Sequence, residues 1–378
     1  MENSKKTIQI NRRDFLKLLV ITGAATAGGH LLGTYSPWIN YEERSNPQLP
    51  SIHKDIQMNA QLRNLVAYAT QAANAHNTQP WKFTLQNSTI RIHPDYSRHL
   101  AVVDPQDREL WISLGCALEN LVLAAGAAGY ATEVTYPDTN EFIQVILSSD
   151  TSQNSPLFEA IPLRQNTRSM YNGLAIPTGD LETLQTLSLE PGISLKYFTN
   201  TNERQTVEDY IVQGNMSQYA NQAFLDELIE WLRFNKKEAL RAMDGLFSAC
   251  SGNPEVPHWL GKLFVSSTKP QQQADSDTAK LRSSPGVVVI ASAEDDRSHW
   301  VRSGRVYQRL ALQMTVMNIK SALLNQPIEV TDLRKQFQKA AGLGATNPQL
   351  LVRYGYAESL PRSIRRPVDQ VLMFEFLR

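Results

Sequence analysis

The chain has 378 residues, 42% hydrophobic and 20% charged, with 37 Lys and Arg balanced by 37 Asp and Glu. That length predicts on the order of two or three structural units, or one with large insertions, and the hydrophobic share is too high for a disordered chain. Zero net charge argues against a protein held to nucleic acid by bulk charge, and no basic aromatic module appears. Two cysteines, Cys116 and Cys250, exclude a disulfide-rich scaffold and a multi-thiolate metal site.

The neutrality is uneven. In residues 1–36, Lys5, Lys6, Arg12, Arg13 and Lys17 outnumber Glu2 and Asp14, so the head carries +3 and the rest of the chain −3. A mildly apolar, Gly- and Ala-rich stretch follows, and its glycines and His30 make it a poor permanent membrane span. The run Asn11-Arg12-Arg13-Asp14-Phe15-Leu16-Lys17 resembles a twin-arginine export signal, with Asn11 where Ser or Thr is usual. The resemblance implies the twin-arginine export machinery as a partner and a location in the periplasm, thylakoid lumen or cell envelope. The signal is either cleaved, with Ala25-Thr26-Ala27 as a candidate site, or kept as an anchor. A surface helix with a chance arginine pair is the competing reading.

Residues 37–55 read as a polar linker. The spacing of Ile56, Leu62, Leu65, Val66, Ala69, Ala72 and Ala73 predicts an amphipathic helix. A polar loop, Asn74–Pro80, leads to two short strands, Trp81–Leu85 and Thr89–Ile92, around an Asn87-Ser88 turn. Pro105 opens a long helix over about 105–128, and Ala131–Tyr136 and Phe142–Leu147 alternate as strands. Residues 205–250 read as largely helical, and 265–282 as a mobile loop or a helix edge. Val287–Ala291 is the clearest buried strand. A weak internal repeat runs through these elements. Asp104, Gly115 and Gly129 in one helical unit are echoed by Asp296, Gly304 and Asn318 in another, and Gly and Asn best tolerate a left-handed C-cap.

The sharpest segment is Ala73-Asn74-Ala75-His76-Asn77-Thr78-Gln79-Pro80-Trp81. Amides and backbone N–H groups in such a loop can face a planar heterocycle, or can simply cap a helix. The segment resembles the N-x-Q-P-W signature of the nitroreductase superfamily, with Ala73-Asn74 where Pro-Ser is usual. Further blocks support the resemblance: Asp104-Pro105, Arg108-Glu109-Leu110, Gly115, Asn120-Leu121; Leu163-Arg164-Gln165-Asn166-Thr167-Arg168; Leu323-Leu324-Asn325-Gln326-Pro327; and Arg353, Arg362 and Arg365-Arg366-Pro367.

This resemblance implies an α+β fold of two fused pseudo-symmetric halves, with mixed or antiparallel sheets flanked by long helices. The halves would be 56–155 and 156–378, with a lid within 205–280, acting as a monomeric internal pseudo-dimer or a homodimer. It implies one FMN, lined by Asn74, Ala75, His76, Asn77 and Gln79. Arg164, Asn166, Arg168, Arg365 and Arg366 would stand at the phosphate and ribityl end. The backbone of Leu323, Leu324 and Asn325 would approach the ring. Arg108 and Glu109 either tie the halves together or sit at a solvated helix start.

The implied activity is FMN-dependent oxidoreduction between a small-molecule donor and a nitroaromatic or quinone-like acceptor, with no side chain needed as acid or base. Export conflicts with NAD(P)H as donor, so the alternative is a non-catalytic protein that holds flavin under a lid. The histidines show no HxxxH or HxH spacing, which disfavours a zinc hydrolase.

Overall fold

The computed structural model describes residues 41–52, 57–138 and 141–373, so the twin-arginine motif lies outside the described residues. The chain begins with α1 (Tyr41–Ser45), within the expected linker, and α2 (Met58–Ala69). The first sheet follows as β1 (Trp81–Gln86), β2 (Thr89–Pro94), β3 (Tyr130–Thr135) and β4 (Ile143–Ser149). Helix α3 (Arg108–Ala127) runs between β2 and β3. The predicted strands are all present. Helix α3 starts three residues past the expected Pro105, because Asp107 adopts a left-handed φ of 58° immediately before it.

Two short helices, α4 (Pro156–Ala160) and α5 (Thr178–Gln185), lead to β5 (Ile193–Phe198). A long insertion then carries α6 (Thr201–Ala220), α7 (Gln222–Trp231), β6 (Leu232–Arg233), α8 (Lys236–Ala242), β7 (Leu246–Phe247), α9 (His258–Ser266) and α10 (Pro270–Arg282). Of the two readings of 265–282, a mobile loop or a helix edge, the loop is corrected: the segment is helical for most of its length. Pro270 pre-sets its first turn, and Ala274 and Leu281 are buried beneath a polar outer face. The chain continues as β8 (Gly286–Ser292), α11 (Arg297–Val316), β9 (Lys320–Leu323), α12 (Gln326–Glu329), α13 (Thr331–Ala340), β10 (Asn347–Gly355) and α14 (Val368–Val371).

The four-stranded sheets have orders β1-β2-β4-β3 and β5-β8-β10-β9, each antiparallel throughout. In each, the long helix joins the strand in the second position of the sheet to the strand in the fourth, so the repeat seen in the sequence is a repeat of topology. The halves meet where α3 packs along α11. Gly115–Gly304, Gly129–Asn318 and Asp107–Asp296 pair at one constant sequence offset. This replaces Asp104 by Asp107 as the partner of Asp296. Gly129 and Asn318 both take a left-handed φ, of 78° and 56°.

The helix crossing depends on its two glycines. A Cβ on Gly115 would lie 2.0 Å from the Val301 carbonyl oxygen, and one on Gly304 would lie 2.0 Å from that of Ile112. Both obstacles are helical backbone, which cannot swing aside as a side chain can. Gly115→Ala is expected to cost about 1–3 kcal/mol or more through overpacking, despite the better helix propensity of Ala. Urea unfolding checks this, and an unchanged midpoint would show that the helices can separate freely.

Arg108 and Glu109 are buried and do tie the halves together. Arg108 donates to the Gln349 carbonyl at 2.5 Å, and Asn325 donates to Glu109 at 3.0 Å. Their role was ambiguous in sequence because a charged pair at a helix start is usually solvated.

Candidate functional site

The loop from Asn74 to Gln79 is held in an unusual shape. His76, Asn77 and Gln79 all have positive φ, of 46°, 54° and 53°. Such backbone is costly for side chains other than Asn, so the surroundings must over-determine it. They do so from both halves and from the insertion. The Asn74 side chain accepts from the Gln79 N–H at 2.8 Å. Asn77 donates to the carbonyls of Gly245 and Ile364, and the Gly245 N–H donates back to the Asn77 carbonyl. From α11, Gln308 accepts from the Ala73 N–H and donates to Asn120 on α3.

A cleft opens beside this loop. Asn74, Asn77, Arg164, Asn166, Arg168 and Arg365 all line it, so six of the sequence-predicted residues converge there. Arg164 and Arg168 share no helix; they flank the extended stretch after α4, where Asn166 forms a bridge to Ser321 and accepts from Tyr307. The cleft also takes in Arg362, together with Leu246 and Cys250 from the insertion and Ser45 and Pro47 from the start of the body. Arg362 was legible as a member of the C-terminal basic cluster. Nothing local in sequence marks Leu246 or Cys250.

The other expected site residues lie elsewhere. Gln79 and Arg366 lock to one another, with the Arg366 N–H and guanidinium donating to the Gln79 side chain and carbonyl. Asn325 spans Glu109 and the Leu351 N–H, and the Leu324 N–H already donates to the Leu351 carbonyl. Leu323 ends β9, paired with Val352. Ala75 donates its N–H to Ser113. His76 is half-buried, with Nδ1 unpartnered. Burial, then the Arg168 charge, lowers the His76 pKa to about 4, so its imidazole is neutral near pH 7.

Electrostatics single out this cleft. Among the described residues, four guanidinium groups line it and no carboxylate does. Arg365 is satisfied by the carbonyls of Thr70 and Ala72 and by Asn77. Among the described residues, Arg164 makes only long contacts to Asn166 and Gln71, at 3.4 and 3.5 Å, and its Nε is buried without a partner. Arg168 has no hydrogen bond or carboxylate partner among the described residues. Burial lowers the pKa of all four, and neighbouring cations push Arg164 and Arg365 further the same way, Arg365 to about 9. Clustered, desolvated cations with free forked donors are chemically matched to a phosphate.

The enclosed cavity is about 60 Å³, enough for a phosphate-sized group. That is well below the roughly 300–1,000 Å³ of pockets that enclose larger ligands. The donor set therefore fits the phosphate end of FMN, while a flavin ring requires the wall built from Ser45, Pro47, Leu246 and Cys250 to yield.

No family model matches the chain. A Mycobacterium tuberculosis protein (strain H37Rv), provisionally named an NAD(P)H nitroreductase, is 24% identical over 322 residues, spanning 82% of this chain and 90% of its own. A second, acg, named in the same way, is 23% identical over 330 residues, spanning 82% and 94%. The chain has a nitroreductase-like fold. Among solved structures, an FMN-dependent nitroreductase from Mycobacterium smegmatis in complex with NADPH covers 58% of this chain and 98% of its own, at 13% identity and a TM-score of 0.40. A nitroreductase from Bacteroides fragilis with bound FMN covers 54% and 90%, at 13% identity and a TM-score of 0.32.

One half-buried acid sets a pH dependence. Burial, then the Glu109 charge, raises the pKa of Glu329 to about 8, against the hydrogen bond from Gln218. The folded state thus holds a proton that the unfolded state has released. Stability from this group is fully present below the ordinary glutamate value and is lost as pH rises through about 8. Glu329→Gln is expected to flatten the fall in melting temperature between those limits. An identical slope in wild type and variant would refute the shift.

Proposed function

We propose that the chain is an FMN-dependent oxidoreductase of nitroreductase type, acting between a small-molecule donor and a nitroaromatic or quinone-like acceptor. The observation that carries this reading is the carboxylate-free cleft, where Arg164 and Arg168 offer unused donors beside the strained Asn74–Gln79 loop. Arg164, Arg168 and Arg362 would hold the phosphate. Asn74 and Asn77 would orient the rest of the ligand, and Leu246 and Cys250 would exclude water. Bound FMN would supply the electron transfer itself. The names given to the mycobacterial relatives support the same reading.

A second reading, a protein that holds flavin without turnover, is favoured by the small cavity and by the insertion wall tied to Asn77 through Gly245. The absorption spectrum of the purified protein tests both, since absence of a flavin band after loading with FMN overturns both. Anaerobic mixing with NADPH separates them. Bleaching supports turnover; an oxidised spectrum that persists with NADPH and with dithionite-free donors supports holding.

A further inference from the structure

The insertion carries a surface that the flavin reading does not use. Helix α9 seats firmly: Gly261 packs so closely that a Cβ there would meet the Phe234 ring at 2.1 Å, and Val265 is buried. Leu260 and Phe264 complete its inner face. With that face fixed, Trp259 and Leu263 are turned outward and stay 63% and 56% exposed. They stand one helical turn apart with exposed Lys262 beside them, and α9 contains no acidic residue.

The adjoining α8 exposes Lys237 and Arg241, also one turn apart. The nearby acids are turned inward. Glu238 accepts from the Phe234 N–H and from Asn235, and Glu255 accepts from the Lys236 N–H. The outward chemistry of α8 and α9 is thus a large aromatic, a leucine and cations that have no carboxylate partner among the described residues. The described chain also enters the body at this end, with Tyr41 of α1 packed on Phe247 at 4.6 Å. Residues 1–40, with their basic, partly apolar composition, therefore lead directly to this neighbourhood.

We infer that α8 and α9 form a docking surface for an anionic lipid bilayer, with Trp259 and Leu263 entering the headgroup boundary and Lys237, Arg241 and Lys262 meeting lipid phosphates. Trp at an interface presents an apolar body with a polar N–H, and lysine can keep its charge at the headgroups while its stem lies against apolar surface. Apolar burial and attraction to anionic lipid combine in such interfacial helices.

The test uses the full chain with Leu263→Cys, labelled with a polarity-sensitive fluorophore; the native Cys116 and Cys250 are buried. Vesicles of phosphatidylcholine with phosphatidylglycerol should shift the emission to the blue, and pure phosphatidylcholine vesicles much less. Trp259→Asp combined with Leu263→Asp should weaken co-sedimentation with the anionic vesicles by about tenfold, with unchanged melting temperature because both sites are exposed. Vesicle binding with no emission shift would show that the N-terminal tract binds while this surface faces away, which overturns the proposal. So would no vesicle binding at all, or a shift that grows with protein concentration without lipid, which would identify a second copy as the occupant.

Discussion

Arg168→Ala is expected to weaken FMN binding by roughly tenfold to a hundredfold, the equivalent of losing one charge-assisted hydrogen-bonding group of about 1.5–3 kcal/mol. The same substitution should leave the flavin-free protein as stable as before, or slightly more so. Arg168 is bonded to nothing in the described protein, its pKa is lowered by burial, and its charge in turn disfavours the charged forms of Arg164 and His76. Removing it relieves repulsion in the empty cleft and removes attraction in the filled one. This opposite sign separates a binding residue from a structural one. Arg366→Ala is the control, because Arg366 is consumed by the carbonyls of Gln79 and Trp81. It should lower the melting temperature of the flavin-free protein. The measurements are equilibrium titration with FMN and thermal unfolding without it. If Arg168→Ala destabilises the flavin-free protein while FMN affinity holds, the phosphate assignment fails.

Glu119→Ala is expected to lower the unfolding free energy by about 3–5 kcal/mol, the range for stripping one partner from a buried ion-pair network. Glu119 lies on α3 and receives Arg305 at 2.9 Å and Arg309 at 2.7 Å, both from α11. The two arginines also hold Glu190, at 2.9 and 3.0 Å, and Arg305 donates to Tyr136, which donates to Glu190. Without Glu119, two poorly exposed guanidinium groups would share one carboxylate. The network bonds α11 to Glu119 of α3 and to Glu190, so a local substitution becomes a loss of cohesion between halves. Urea unfolding gives the number. A loss below about 1 kcal/mol, the range of exposed pairs, would show that Glu190 and solvent suffice.

Much of this architecture was legible because its signals were local. Strand alternation and the Asn-x-Gln-Pro-Trp run each survive in a short window of sequence. Six of the residues placed in the cleft from sequence, Asn74, Asn77, Arg164, Asn166, Arg168 and Arg365, line it. Gln79 and Arg366 show the limit of that reasoning. Both have the right donors, but they satisfy each other, and mutual satisfaction depends on residues 287 positions apart. The same holds for Asn325, whose amide spans α3 and β10. Leu246 and Cys250 enter the cleft only because the insertion folds back over the first half, which no periodicity records. The helix over 270–282 was hidden because its outward face is largely polar, with Gln271, Gln272, Asp275, Ser276 and Arg282, so few apolar positions marked the turn.

The constant offset between α3 and α11 has a consequence for how the molecule could change over time. Position 119 corresponds to position 308, and positions 116 and 120 correspond to 305 and 309. In a symmetric dimer of identical subunits, a substitution made for one interface position is made at its mate as well. Within one chain the mates are separate letters. Here one set is Gln308, Cys116 and Asn120, neutral and beside the arginine cleft. The other is Glu119, Arg305 and Arg309, closed upon itself by ion pairs. Two halves on one chain leave each of the two related positions free to specialise alone, and here one set stays neutral while the other is a clasp that already holds its own charge.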